Sequence, residues 1–168
     1  MQHLYRIALT GPARSGKDVV ANILVRELGY VRHSFGDIIK RQLATVIRVH
    51  TGIDSYTEDD RLKRIIRPTL EAWSETNAEG LLRAYWESAP AKCVNNRLVK
   101  VSEAKEFRTH GGVIVWVSRP DRPPASAWES ARLFELRNEG LVDLEIANDG
   151  TLDELRAKVL HMFRGGTP

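Results

Sequence analysis

Leu9-Thr10-Gly11-Pro12-Ala13-Arg14-Ser15-Gly16-Lys17-Asp18 closes a short apolar run and opens an amphipathic one, and its reading decides the fold. Gly11 and Gly16 bracket Pro12 to Ser15, and Lys17 follows at once, the G-x4-G-K spacing of a phosphate-binding loop. Glycine at both brackets lets the backbone turn back on itself, so that successive N–H groups converge on one anion. Lys17 adds a mobile cation for the outer phosphates. The helix that starts here contributes the partial positive charge of its N-terminus.

The flanks supply the context that the loop needs. Leu4-Tyr5-Arg6-Ile7-Ala8-Leu9 is a short apolar run of strand type, while Val20, Ile23, Leu24 and Leu28 recur at helical spacing before Gly29. Strand, glycine loop and helix thus stand in the required order. One position departs from the pattern: Asp18-Val19 replaces the usual Ser or Thr whose hydroxyl sits on Mg²⁺. Asp18 can bind such an ion directly or through water.

The chain has 168 residues, 42% apolar and 28% charged, which fits one soluble globular domain able to bury a core. No segment approaches the roughly 20 apolar residues of a membrane span, and no signal-peptide pattern opens the chain, so a cytoplasmic location is expected. The single cysteine, Cys93, forms no internal disulfide and no metal cluster, and reads as a packing residue. A net charge of +3 suits small polyanionic ligands without indicating a groove for a nucleic-acid polymer.

Further along, Tyr30 to Phe35 reads as a second strand, and Gly36-Asp37 turns into a helix with Ile39, Leu43, Val46 and Ile47 on one face. Asp37, an acid at a helix start, fits a plain N-terminal cap as well as a ligand role. Thr57 to Asp60 resembles a capping box, after which Leu62, Ile65, Ile66, Leu70 and Trp73 follow at helical intervals, with Pro68 as a kink or a new start. Leu81, Leu82, Tyr85 and Trp86 form another stripe. Arg97 to Val101 is the third strand expected, ending at Ser102-Glu103, and Ala104 to His110 is a short helix closed by Gly111-Gly112. Val113 to Val117 reads as a strand buried on both faces. A basic connection, Ser118 to Pro124, leads into a charged helix ending near Glu139; Leu141 to Ala147 gives a fifth strand, and Leu152, Leu155, Val159, Met162 and Phe163 mark the last helix. The tail from Gly165 to Pro168 is expected to fray.

Five strands alternating with helices imply a parallel sheet with right-handed crossovers and helices on both faces, in which ligands sit at the carboxyl ends of the strands. That rule gathers Gly11 to Asp18, Asp37, Ser102-Glu103, Arg119 to Arg122 and Asn148 to Gly150 at one rim.

On these residues the chain resembles the P-loop nucleoside monophosphate kinases, and within them the bacteriophage-type deoxynucleoside monophosphate kinases. GPARSGKD is similar to that family's P-loop, which carries Lys-Asp; SFGDIIKRQL resembles its second strand and helix, VIVWVSRPDR its fourth strand and the start of its lid, and NDGTLDELRAKV its last turn and helix. The resemblance implies an α/β P-loop NTPase three-layer sandwich: one kinase domain from Met1 to Pro168, with a small helical lid from about Ser118 to Glu139. It departs at Val19, where a Thr is usual, and at the end of the third strand, where an Asp-x-Arg pair is usual. Glu103 is the acid nearest that place, and an ordinary helix-start glutamate fits it too.

The implied reaction carries the γ-phosphoryl group of ATP, with Mg²⁺, to the 5′-phosphate of a deoxynucleoside monophosphate. Gly11, Ala13, Arg14, Ser15, Gly16, Lys17, Asp18 and Val19 would form the ATP-phosphate site, and Asn148 and Gly150 would flank the adenine. Asp18, with Glu103 behind it, would serve the metal. Guanidinium matches phosphate bidentately, and the resemblance implies Arg67, then Arg41 and Arg64, on the acceptor side with Asp37. Arg119, Arg122, Arg132 and Arg137 would act from the lid, or stand as solvated surface charges. Trp73, Tyr85 and Trp86 fit either a stack on the acceptor base or a place in the core. Small nucleotides are the partners expected, no membrane is involved, and the short basic helices could also serve a homodimer. A dephospho-coenzyme A kinase-like enzyme, or a nucleotide-binding P-loop protein of little catalytic power, are the rival readings.

Overall fold

The computed structural model describes residues 5–120, 122–124 and 126–164. In chain order its elements are β1 (Arg6–Thr10), α1 (Lys17–Leu28), β2 (Val31–Arg32), α2 (Phe35–Thr51), α3 (Asp60–Thr76), α4 (Ala78–Ser88), β3 (Cys93–Asn95), α5 (Val101–Thr109), β4 (Val113–Ser118), α6 (Ala127–Asn138), β5 (Leu144–Ala147) and α7 (Leu152–Arg164). The chain forms two compact units, one of Met1–His33 with Pro90–Pro168 and one of Ser34–Ala89. Leu4 and the tail from Gly165, both read above, lie outside the described residues. No helix among the described residues is long and apolar enough to cross a membrane.

The first unit is a five-stranded sheet in the order β2-β3-β1-β4-β5, with every neighbouring pair parallel. Side chains alternate across a strand. Ile7, Leu9, Val94, Val115, Val117 and Ile146 therefore share one face, where they form a core with Val20 and Leu24 of α1 and Leu155 and Val159 of α7. Ala8, Ile114 and Trp116 take the alternate positions, and Ala104 and Phe107 of α5 with Leu133 and Leu136 of α6 are buried in the other layer. The order of strands puts β1, which feeds the glycine loop, at the centre.

Two strands depart most from expectation, while the fifth starts at Leu144 instead of Leu141. The third lies at Cys93–Asn95 and not at Arg97 to Val101. The later stretch is rich in strand-type residues, Leu98, Val99 and Val101, but Glu103 Oε2 accepts the N–H groups of Val99 and Lys100, each at 3.3 Å, and that cap starts α5 at Val101. The second strand shrinks to Val31–Arg32, because Ser34 becomes the N-cap of α2 and accepts the Asp37 N–H. Asp37 is thus not the cap but a half-buried residue in the first turn.

The second unit is a three-helix cluster. Phe35, Ile39, Leu43 and Ile47 of α2, Ile66 and Leu70 of α3, and Leu81 and Tyr85 of α4 are buried, and the rings of Phe35 and Tyr85 stack with centroids 4.1 Å apart. α3 is capped by Asp59, which accepts from Arg61 and Leu62 N–H. It runs through Pro68 without ending. Ile65, expected in its apolar stripe, is 58% exposed. Ser34→Ala removes the α2 cap and is expected to cost about 1 kcal/mol, read as a lower urea midpoint at unchanged m-value.

Candidate functional site

Within the first unit the loop between β1 and α1 takes a shape that side chains oppose. Gly11 has φ 126° and Gly16 φ 106°. A Cβ on Gly11 would lie 2.2 Å from the Val117 carbonyl oxygen of β4, and one on Gly16 would lie 2.4 Å from Asn148 Nδ2. Arg14 also turns through the left-handed region at φ 62°, which costs a non-glycine residue about 1–2 kcal/mol. The loop is held in this form from β5: Asn148 N–H donates to Ser118 O at 2.8 Å, and its Nδ2 donates to Ser15 O at 2.9 Å. Asn148 therefore braces the loop. The rest of that turn serves α7, since Glu154 accepts the Thr151 N–H beside Gly150 and Lys158 bonds Asp149.

Lys17 Nζ donates to the carbonyls of Gly11 and Pro12, both at 2.6 Å. Burial pushes its ammonium below the usual lysine range; the charges of Glu129 and Asp18 oppose that shift, and the charge of Arg97 adds to it. Glu129, in the first turn of α6, reaches over the loop and accepts the Ala13 N–H at 3.3 Å. A carboxylate from α6 thus occupies one donor of the loop. Thr10 Oγ1 and Ser15 Oγ are buried without hydrogen-bond partners at the same loop, as polar groups are where a ligand completes them.

Asp18 is exposed, its Oδ1 accepting Asn96 Nδ2 at 2.6 Å and lying 3.6 Å from the Arg32 guanidinium. No group of three or more His, Cys, Asp or Glu side chains that could hold a metal occurs among the described residues. A lone carboxylate beside a nest fits Mg²⁺ that arrives on its nucleotide, because that ion keeps much of its shell as water and phosphate oxygen. Glu103 does not belong to this donor set: it is 4% exposed, caps α5, and burial pushes its carboxyl above the usual range. Val19 packs its side chain against the apolar core.

Because β3 ends at Asn95, the rim residues after it are Asn95-Asn96-Arg97, not Ser102-Glu103. Asn95 and Arg97 stand where the resemblance leads one to expect Asp-x-Arg, with an amide in place of the carboxylate. The sequence reading missed both. The available signal was Cys93-Val94, a buried apolar pair too short to register as a strand.

The remaining residues separate into groups. Arg119 and Arg122 are exposed beyond β4, where Asp121 lies outside the described residues. Arg132 bonds Glu135 at 3.1 Å and lies over the Trp128 ring, whereas Arg137 lies over Trp116 and pairs with Glu145. Arg41, Arg64 and Arg67 are exposed on α2 and α3 of the second unit. Trp73 donates from Nε1 to Gln42 at 3.0 Å, while Tyr85 is a core residue and Trp86 stands edge-on to it.

No known protein family and no curated protein sequence matches the chain. Among solved structures, the shikimate kinase of Aquifex aeolicus vf5 aligns over 95% of this chain and 96% of its own, at 20% identity and a TM-score of 0.57. TT1252 from Thermus thermophilus aligns over 99% and 100%, at 18% identity and a TM-score of 0.55. A dephospho-CoA kinase from Campylobacter jejuni aligns over 95% and 96%, at 14% identity and a TM-score of 0.50. The chain has the α/β P-loop NTPase fold that these structures share.

Glu129→Gln keeps the shape of α6 and removes the competing anion. ATP should then bind roughly two- to fivefold more tightly by calorimetry, the scale of an exposed charge pair. The Lys17 ammonium, followed by NMR, should titrate still lower than in the wild type.

Proposed function

We propose that the chain is an ATP-dependent phosphotransferase, and that its acceptor is the 5′-phosphate of a deoxynucleoside monophosphate. The observation that carries this reading is the convergence of three distant segments on one anion nest. The glycine loop supplies the N–H groups, Asn148 braces Ser15 O, and α6 reaches Ala13 through Glu129. The likeness of GPARSGKD and NDGTLDELRAKV to the phage-type kinases points to the acceptor class.

Phosphoryl transfer asks the protein mainly to position and neutralise spread charge. Lys17 would leave the carbonyls of Gly11 and Pro12 for the β- and γ-phosphate oxygens, an exchange favoured because burial already destabilises its charge. Backbone N–H groups from Ala13 to Asp18 would hold the same phosphates, as a nest at a helix N-terminus does. Entry of a phosphate displaces the Glu129 carboxylate, which couples donor binding to the position of α6. Asp18 would hold Mg²⁺, which when bound offsets negative charge on the phosphate oxygens. Arg97, whose charge is felt at Lys17, would face the migrating group as a bidentate clamp. Arg67, Arg41 and Arg64 with Asp37 would take the acceptor, and Arg119, Arg122 and Arg132 would act from the lid as it excludes water.

A coupled assay with ATP and a panel of dAMP, dCMP, dGMP, dTMP, shikimate and dephospho-coenzyme A tests the reading. ADP should form with at least one monophosphate; turnover confined to the last two would reject it. Lys17→Ala should lower turnover by about 10²–10³-fold with an unchanged circular dichroism spectrum. Near-normal activity in that variant would contradict the mechanism.

A further inference from the structure

The second unit holds a cavity of its own, about 220 Å³ in volume, lined by Ala44, Thr45 and Arg48 of α2 and by Asp54, Ser55 and Tyr56 of the segment between α2 and α3. A cavity of about 150 Å³ already holds benzene, so this one has room for a small organic molecule. Local structure explains its shape. Ala44, Thr45 and Arg48 are spaced three and four apart and share one face of α2. Gly52, in the left-handed region at φ 71°, ends that helix. Asp54 Oδ1 then accepts the Tyr56 N–H at 2.8 Å, and Asp54 O accepts the Thr57 N–H at 3.0 Å. This turn sends the chain back along α2, where the Tyr56 hydroxyl donates to Asp37 O at 3.2 Å in the first helical turn.

Three polar groups of the lining are left for an outside partner. Ser55 is 2% exposed, and its Oγ is buried with no hydrogen-bond partner. A buried hydroxyl without a partner is costly, and such groups mark places where a ligand completes the set. Arg48 makes no side-chain hydrogen bond and no ion pair among the described residues. Asp54 commits one oxygen to its own turn and likewise makes no ion pair among them. A guanidinium and a carboxylate thus line one cavity without meeting each other.

That separation selects the ligand. A simple anion drawn to Arg48 meets the charge of Asp54, and a simple cation drawn to Asp54 meets that of Arg48; a molecule carrying both charges escapes both repulsions. Guanidinium matches a carboxylate bidentately, and an ammonium brings donors for a carboxylate. We infer that this cavity binds a small α-amino acid, its carboxylate on Arg48 and the Ser55 hydroxyl, its ammonium on Asp54. The Ala44 methyl and the Tyr56 ring offer apolar surface to its side chain. The site uses none of the side chains of the phosphate loop and none of those placed on the phosphoryl acceptor, and it stands whichever acceptor the kinase uses.

NMR titration of the full chain with the common L-amino acids, each alone, tests the inference. At least one should bind with a Kd of about 1 mM or tighter, within reach of a ligand of few atoms, and should shift the amide signals of Ser55 and Tyr56. Acetate and methylamine, which carry one charge each, should bind about tenfold more weakly or worse. Asp54→Asn keeps the oxygen that accepts the Tyr56 N–H and removes only the charge, while Arg48→Gln removes the guanidinium from an exposed position. Each should weaken the best amino acid about tenfold. Ser55→Ala separates a ligand role from a structural one. Its urea midpoint should match or exceed the wild type, because the lost hydroxyl had no partner, while amino-acid binding weakens several-fold. Absence of binding by every amino acid, binding that all three substitutions leave unchanged, or a lowered urea midpoint in Ser55→Ala overturns the inference. Displacement of the bound amino acid by dAMP, dCMP, dGMP or dTMP would give the cavity to the phosphoryl acceptor, which overturns the inference and leaves the phosphotransferase reading standing.

Discussion

The close approach of the glycine loop to its neighbours is the constraint on which the candidate phosphate site depends. At Gly11 the chain passes so near β4 that an added Cβ would meet a carbonyl oxygen, and at Gly16 it passes against the Asn148 amide. Neither position tolerates a side chain, and both lie at backbone angles that glycine alone adopts cheaply. Once the loop is pressed into this form, its N–H groups converge and α1 starts at Lys17. The central place of β1 in the sheet then brings the ends of β3 and β4 beside it.

Such a nest concentrates positive potential, and the protein answers it with its own groups. The Lys17 ammonium is solvated by two carbonyls of the loop it serves, and the Glu129 carboxylate takes an N–H that a phosphate would use. Both contacts are exchangeable. A phosphate chain offers Lys17 a full negative charge in place of carbonyl dipoles, and it offers Ala13 a stronger acceptor at the same place. The charge of Arg97 adds to the downward push of burial on Lys17, against the opposing charges of Glu129 and Asp18. Buried orphan atoms at Thr10, Ser15 and Asn95 express the same incompleteness in hydrogen bonds.

The misplaced third strand shows how local pattern and tertiary pairing diverge. Arg97 to Val101 carries Leu98, Val99 and Val101 in a run of five, so it reads as a short strand. Glu103 instead caps the backbone of Val99 and Lys100, and a capped helix start wins over a strand propensity that no neighbouring strand completes. Cys93-Val94, with little local signal, becomes a strand because β1 and β2 pair with it on both sides. This shift moves the rim by several residues. It replaces an acid, Glu103, by an amide and a guanidinium, Asn95 and Arg97.

What the amino acids determined alone was the glycine loop, the alternation of strands and helices, and hence a parallel sheet with its working edge at the strand ends. Those features rest on spacing, backbone freedom and periodicity, all of which act between residues close in the chain. Only the tertiary structure decided that Asn148 braces Ser15, that Glu129 covers Ala13, that Arg137 lies over Trp116, and that Asn95 ends a strand. Each of these is a pairing set by strand order and helix packing, between groups whose separation in space bears no relation to their separation along the chain.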